Sequence, residues 1–402
     1  MPETADIVIV GGGVMGCAIA YNLALQGLKP VVVEKADIGG EASGANGGGV
    51  RQSARNLKEM PLAMESIRLY GGLAEELGMD VEYVRQGNLR LCTTEDEIAA
   101  MAASVENQRS VGLELEMLDR KQVREIIPFI SEDVIGASWC PTDGHVNPFL
   151  VTYAFMKKAK ELGAVFYTQE EVREINLKKS RVAAVTTAKR RIETDTVVNA
   201  AGVAGRKVAN MAGLDLPLKP VFSEALITEA TEPMFRQMIG SAKGLFYGRQ
   251  TVHGSIFWGG FIGIEDYVYQ RQGKPMYNCI GPASARSLID LFPVMAKLNV
   301  IRSWSGLIAA MSDGIPVLGL TDEVPGYVFA TGFSGHGFGL APVIGRVIAE
   351  VIMDCQASFS LRDFCYGRFD RGGQSGCECL DNAACTIETA ACPNKRSWLK
   401  NI

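Results

Sequence analysis

Apolar residues in this chain fall in short blocks separated by glycine-rich turns, and the blocks alternate between strand and helix periods. Residues 7–10 (Ile-Val-Ile-Val) form a continuous β-branched run, the pattern of a strand buried on both faces. Gly11, Gly13 and Gly16 follow, then a helical pattern, then a second apolar run at 31–33 that closes on Glu34. Helices are predicted over 60–79 and 95–111, with a strand at 84–91 between them. A turn at 142–148 (TDGHVNP) leads into an amphipathic helix over 148–162 and strands at 164–167 and 171–176. A hairpin of 181–187 with 191–198 comes next. The run 197–202 (VVNAAG) reads as a buried strand ending in small residues, so a backbone or ligand approaches closely there. Residues 221–309 alternate short apolar runs with turn residues, the pattern of antiparallel sheet, broken by a helix near 282–291. A strand at 327–331, a glycine loop at 332–338 and a helix at 340–353 close the pattern. The sum is an α/β chain, α+β overall: a Rossmann-like domain with a parallel sheet, plus a smaller antiparallel-sheet domain. The expected boundaries are 1–85 with 145–220 and 320–372 for the first domain, 86–144 with 221–319 for the second, and a tail at 373–402.

Each glycine of the first turn has its own role in binding a dinucleotide. Gly11 allows the tight turn out of the strand, Gly13 leaves the backbone open to a pyrophosphate, and Gly16 lets the helix pack closely on the sheet. The helix N-terminus then offers free N–H groups and a positive dipole end to phosphates. Glu34 stands 18 positions after Gly16, where a carboxylate accepts hydrogen bonds from an adenosine ribose. The run 38–52 (IGGEASGANGGGVRQ) is too glycine-rich for a regular element. It reads as an extended loop whose backbone contacts the cofactor; the alternative is a plain surface loop. Arg51 at its end is a cation beside the ligand. The loop before the last helix makes a second helix N-terminus suited to anions or dipoles.

Composition narrows the class. The 402 residues are 47% hydrophobic and 21% charged, as in ordinary globular chains of two or three structural units. A net charge of −5 with no basic block argues against nucleic acid. The N-terminus lacks the basic region and cleavage site of a signal peptide, and no apolar run reaches the ~18 residues of a membrane span, so a cytoplasmic location is expected. Of ten cysteines, Cys17, Cys92, Cys140, Cys279, Cys355 and Cys365 are scattered and read as reduced, buried thiols. Cys377, Cys379, Cys385 and Cys392 cluster in the tail. Thiolates there suit Zn²⁺ or an iron–sulfur cluster, although the spacing matches no familiar pattern; the alternative is a mobile or partner-docking tail. No other metal site is expected.

Six stretches together resemble the FAD-dependent amine and amino-acid oxidoreductases of the D-amino-acid oxidase/sarcosine oxidase superfamily. They are GGGVMG (11–16), ASGANGGGVRQ (42–52), ASWCPTDGHVNPF (137–149), VVNAAG (197–202), RSWSG (302–306) and ATGFSGHGF (330–338). The likeness covers about residues 5–372 and is strongest to the β subunits of heteromeric sarcosine oxidase, dye-linked L-proline dehydrogenase and opine oxidase. It implies non-covalent FAD. Gly11, Gly13, Val14, Met15 and Gly16 would hold the pyrophosphate and Glu34 the ribose, with Lys35 also among the cofactor-binding residues. Ser43, Gly47, Gly48 and Gly49 would contact pyrophosphate and flavin, and Val172 would lie beside the adenine. Ala200 and Gly202 would line the second strand of the site. Gly335, His336, Gly337 and Phe338 would set N–H groups at the flavin's pyrimidine edge, favouring negative charge on reduced flavin.

The same resemblance gives Arg51 the substrate carboxylate, a task suited to a planar guanidinium; the alternative for Arg51 is a structural ion pair. His336 and His253 are candidates to line the substrate cavity, with a structural hydrogen-bonding role as the alternative for each. Two departures from the family favour a dehydrogenase over an oxidase. Gly339 stands where amino-acid oxidases often carry a lysine. Ser255-Ile-Phe-Trp258 occupies the place of the lysine that promotes reaction with oxygen. The histidine that bears covalent FMN in sarcosine oxidase β subunits has no counterpart at 148–150, which argues against covalent flavin; the resemblance still allows FMN or an iron–sulfur cluster at a subunit interface. The implied reaction is hydride transfer from the α-carbon of a secondary or N-substituted amino acid (sarcosine, proline, hydroxyproline or opine type) to flavin N5. The imine product would hydrolyse in water. The partner implied is a second flavin or iron–sulfur subunit. Rival readings are a free-standing glycine or D-amino-acid oxidase making hydrogen peroxide, and a non-catalytic FAD relay subunit.

Overall fold

A computed structural model of the chain describes residues 3–260, 280–354 and 357–369. The chain divides into two compact units, residues 1–40, 152–219 and 309–402, and residues 41–151 with 220–308.

The first unit is built on a six-stranded sheet, in the order Val317–Leu320, Tyr327–Thr331, Val197–Asn199, Ile7–Val10, Pro30–Val33, Val165–Tyr167. All neighbours run parallel except Val317–Leu320, which is antiparallel to Tyr327–Thr331. Ile7–Val10 lies in the middle and is buried at every residue, as its unbroken apolar run predicts. Helix Val14–Leu25 follows and is buried at ten of its twelve residues. It therefore has no solvent face and is covered by helix Ala341–Asp354. The two helices meet backbone to backbone: a Cβ at Gly345 would lie 2.8 Å from the carbonyl carbon and oxygen of Ala18.

One expected element divides. Residues 191–198 do not form a single hairpin strand. Arg191–Glu193 pairs with Arg181–Thr187 in a small four-stranded sheet, whereas Val197–Asn199 joins the parallel sheet. The crossing is made at Thr194, whose hydroxyl donates to the Thr196 carbonyl at 3.0 Å. Buried Glu170 ties this sheet to the strand that ends at Tyr167. Its carboxylate accepts from Thr187 Oγ1 at 2.6 Å and Arg190 Nε at 2.9 Å, and Arg190 stacks 3.6 Å above the Tyr167 ring.

The second unit carries an eight-stranded sheet: Val300–Met311, Leu218–Ala230, Ser255–Gly260, Phe246–Gln250, Met238–Ser241, Asn88–Cys92, Gly136–Cys140, Glu116–Asp119. It is mixed, because Met238–Ser241 and Asn88–Cys92 run parallel. One face packs on helix Ile280–Leu291 through Trp258, Leu288, Leu291 and Phe292. The expected helix at 60–79 splits into Met60–Tyr70 and Leu73–Leu77 at Gly71-Gly72, and the strand at 84–91 shortens to Asn88–Cys92. The glycine-rich run at 38–52 contains one helical turn, Ala42–Ala45, and a two-residue strand, Gly49–Val50. That strand pairs with Gly144–His145, and Val84 bridges His145. This pairing groups residues 41–85 with the second unit, where the sequence reading assigned them to the first.

Cys17, Cys92 and Cys140 are free and buried, as expected. Cys365 differs: it is disulfide-bonded, a pairing that hydrophobic pattern carries no signal for. Cys279, Cys355 and the four tail cysteines, Cys377, Cys379, Cys385 and Cys392, lie outside the described residues, as does the rest of 373–402. Among the described residues no helix is long and apolar enough to cross a membrane, and no group of three or more His, Cys, Asp or Glu is placed to hold a metal.

Gly345→Leu tests the helix contact. Its side chain meets main-chain atoms that cannot rotate away, so a loss of about 2–4 kcal/mol in unfolding free energy is expected. A denaturant titration at fixed flavin concentration measures it.

Candidate active site

In the first unit the glycine turn is shaped by contacts that leave no space for side chains. Gly11 has φ +110°, and a Cβ there would lie 2.5 Å from the Ala200 carbonyl oxygen. At Gly16 a Cβ would fall 2.0 Å from the Gly11 carbonyl oxygen. The turn, the helix start and the strand end at Ala200 are thus brought together, and the backbone that approaches the small residues of the 197–202 run is that of Gly11. Gly13, which has no side chain of its own to cap with, precedes helix Val14–Leu25, and the first turn of that helix holds no acid. Such an end suits a pyrophosphate.

Glu34 ends the second strand. One carboxylate oxygen accepts the Gly12 N–H at 2.7 Å and the other accepts the Ala36 N–H at 2.8 Å. The carboxylate is fixed in orientation, and its remaining lone pairs suit ribose hydroxyls. These features fit a dinucleotide. Lys35 is exposed next to Glu34, and Val172 is buried at the start of Val172–Lys178. Gly202 is exposed with φ +53°, just past Ala200.

The loop 332–338 occupies another part of this unit. Gly332 has φ +76° and lies against Met311, where a Cβ would be 2.5 Å from the sulfur. Ser334 N–H donates to the Ala309 carbonyl at 2.9 Å, and Ser334 Oγ accepts from Met311 N–H at 3.0 Å. Gly335 has φ +87°. His336, Gly337 and Phe338 are half-buried, and the loop runs through a short 3₁₀ turn into helix Ala341–Asp354.

In the second unit the loop 41–50 is gripped at one residue. Gly47 N–H donates to the Tyr247 hydroxyl at 3.0 Å, and Gly47 carbonyl accepts from Arg249 Nε at 2.6 Å. Both partners come from one strand, Phe246–Gln250, at positions two apart and therefore on one face. Phe257 fills the space where a Gly47 side chain would go, with a Cβ only 2.3 Å from its ring. Trp304 Nε1–H donates to the Ala45 carbonyl at 2.9 Å, and Asn46 donates to the Ser43 carbonyl at 2.7 Å and accepts from Gly48 N–H at 2.7 Å. Gly48 has φ +73°, and a Cβ there would lie 2.0 Å from the Val146 carbonyl oxygen.

Arg249 is buried and its Nη1 donates to His145 Nδ1 at 3.3 Å, so that nitrogen carries no proton. His145 Nε2–H then donates to the Arg236 carbonyl at 3.1 Å. The ring is neutral, and burial with the neighbouring Arg249 charge pushes its pKa down to about 3.

Arg51 follows the loop and is half-buried. Its Nη1 donates to the Ser53 and Ala54 carbonyls at 2.5 and 2.8 Å. It makes no ion pair with any described residue, and its Nη2 and Nε have no protein acceptor there. The structural ion pair considered from sequence is therefore not found. Asp143, fully buried, orders the turn after it: its carboxylate accepts Gln52 N–H at 2.8 Å and the Ser53 hydroxyl at 2.5 Å. His253 sits in the turn between two hairpin strands, with its ring largely exposed and Nε2 3.3 Å from Glu82. That pairing, rather than a cavity wall, is what the structure records for it.

Sequence reading singled out none of Tyr247, Arg249, Asp143 or Trp304. Asp143 and Trp304 lie within stretches that carry the family resemblance, and alternation marks the Tyr247 strand, but none of these signals names a partner about 90 to 260 residues away.

Residues 6–351 match the family described as FAD dependent oxidoreductase (DAO). The chain belongs to this family. FAD is thus the dinucleotide that the glycine turn, the start of helix Val14–Leu25 and Glu34 fit. This FAD-dependent oxidoreductase is similar to the beta chain of sarcosine oxidase from Arthrobacter sp, 29% identical over 379 residues covering 92% of each chain. It is also similar to the B chain of opine oxidase from Rhizobium meliloti, 28% identical over 91% of this chain and 98% of the relative. Among solved structures, L-proline dehydrogenase from P. horikoshii matches with a TM-score of 0.86 and 31% identity, over 92% of this chain and 99% of that one.

The neutral His145 makes a signed prediction. Its native pKa lies below the unfolded value of about 6.5, so unfolding takes up a proton as the pH falls. Stability is full above about 6.5 and is lost towards pH 3. Between pH 7 and 4.5 the loss from this group is on the order of 2 kcal/mol. His145→Gln, which keeps an acceptor and a donor, should lose about that much less than the unaltered protein when urea unfolding is measured at the two pH values.

Proposed function

We propose that this chain oxidises a secondary or N-substituted amino acid to its imine, as the FAD-bearing catalytic subunit of a hetero-oligomer. The observation that carries the reading is Arg51: a half-buried guanidinium held by carbonyls through one nitrogen, free of any ion pair with the described residues, with two nitrogens unspent. Such a group is preorganised for a carboxylate, and Asp143 keeps the following turn in place. Non-covalent FAD supplies the hydride acceptor.

The chain's own contribution is orientation. Arg51 fixes the carboxylate end of the substrate, so the α-carbon is presented in one pose. The amine must be neutral to give up hydride, and no side chain beside Arg51 is read as an obligatory base; deprotonation by solvent serves. The loop 43–49, together with Gly335–Phe338, is read as contacting the flavin. His336 remains a candidate for the substrate side.

Dehydrogenase chemistry is favoured over oxidase chemistry by Gly339 and by Ser255–Trp258, which leave no lysine where a nascent superoxide would need one. Electrons then pass to a partner, read as a second flavin or iron–sulfur subunit. The names of the similar sarcosine and opine oxidase chains support that assembly.

An anaerobic visible spectrum of the flavin-loaded chain, titrated with sarcosine, proline, hydroxyproline and an opine, tests the reaction. At least one should bleach the oxidised band, and readmitted air should restore it slowly. Arg51→Ala should raise the substrate KM by more than about 100-fold with flavin content unchanged. Unaltered kinetics in that variant would move the function to electron relay.

A further inference from the structure

We propose that Arg90 is a second carboxylate-binding residue beside Arg51, and that the preferred substrate is an amine bearing two carboxylates, one on each nitrogen substituent. This rests on the amino-acid reading above and narrows it.

The placement follows from sheet register. Arg90 pairs with Gly240 on one side and Ser138 on the other, Gly240 pairs with Tyr247, and Tyr247 pairs with Gly259. Paired residues share a face, so Gly259, Tyr247, Gly240, Arg90 and Ser138 form one row across the sheet. The glycines add no side chains to it. A Cβ on Gly240 would make ordinary contact, 3.8 Å, with the Arg90 guanidinium carbon. The adjoining row on that face holds Arg249, Met238 and Asn88.

The segment bearing Arg51 lies on this same face. Tyr247 Oη accepts the Gly47 N–H, Met238 Cε is 3.2 Å from a Cβ position on Gly49, and Asn88 Nδ2 donates to Ser53 Oγ at 3.0 Å. Arg51 is therefore two residues from one end of the Asn88–Ser53 bond, and Arg90 is two residues from the other.

Both guanidiniums have capacity to spare. Arg90 Nη1 donates to the Ser241 carbonyl at 3.2 Å, its Nε is buried with no protein acceptor, and no bond from its Nη2 to a described residue exists. Asp143 hydrogen-bonds to neither, its bonds going to Gln52, Ser53 and Asn88, although its charge supports both from a distance. Arg55 is the cation already answered, 3.9 Å from Glu59. Burial first, and then the Arg51 charge, hold Arg90 down to about 9, with Asp143 offsetting part of this. A monoanion leaves one of the two guanidiniums without a carboxylate in direct contact; a dianion gives each one.

Calorimetric titration of the FAD-loaded protein with two thioethers that cannot be oxidised to imines decides the matter. Thiodiacetate carries two carboxylates and (methylthio)acetate carries one. Thiodiacetate should bind about 30-fold more tightly, from one added charge-assisted pair. Arg90→Gln should abolish that advantage while changing (methylthio)acetate binding less than about 3-fold, and Arg90→Lys should keep part of it. Arg51→Ala should weaken both. Equal affinity for the two thioethers, or an Arg90→Gln variant that weakens both alike, overturns the second carboxylate site and leaves the proposed oxidation standing. Failure of both thioethers to bind, with no amine bleaching the flavin, overturns the two together. Unchanged flavin content and melting temperature in Arg90→Gln exclude misfolding as the cause.

Discussion

At Gly11 and Gly16 the chain passes its own backbone with no room for a side chain, and the first unit depends on that crossing. The strand Ile7–Val10 can turn directly into a helix only because Gly11 sits at φ +110° against Ala200. The helix can start over the strand end only because Gly16 accommodates the Gly11 carbonyl where a Cβ would be. The same economy recurs at Gly345, where the last helix covers the first. A helix buried at ten of its twelve residues follows between sheet and helix, with its N-terminus at the end of the central strand. Dinucleotide binding is thus a by-product of tight packing as much as of the residues that touch phosphate.

This part of the molecule was legible in the sequence because its information is local. Strand, glycine spacing, helix and acid lie within residues 7–34, and each leaves a trace in residue type. The second unit was legible only in class. Alternation revealed its strands, but the pairing of Gly47 with Tyr247 and Arg249 spans about 200 residues and depends on register, which alternation does not specify. The division of 191–198 between two sheets escaped for the same reason: a β-rich run does not say which sheet it enters. For His253, the residue pattern leaves a cavity role and a structural hydrogen bond equally open, and the exposed turn with its Glu82 partner is a matter of tertiary placement.

Charge is handled differently in the two units. In the first, buried Glu170 meets Arg190 directly, and Glu34 is held by backbone N–H groups. In the second, Arg51, Arg90 and Arg249 are held by carbonyls or by a neutral imidazole. A cation supported by carbonyls stays oriented without being cancelled, so its field remains available to an incoming anion. Asp143 complements this arrangement by spending its oxygens on the turn rather than on a guanidinium.

The double grip on Gly47 has a consequence for motion. Its N–H and its carbonyl belong to two successive peptide planes, and each plane is tied to the same strand. Neither plane can flip without breaking a bond to Tyr247 or Arg249, and the Phe257 ring closes the space through which the chain would swing. Glycine, the residue usually associated with hinges, acts here as a rivet. Moving the loop 41–50 away from its sheet at this point would therefore cost both bonds at once, so the segment is fastened where its composition alone suggests freedom.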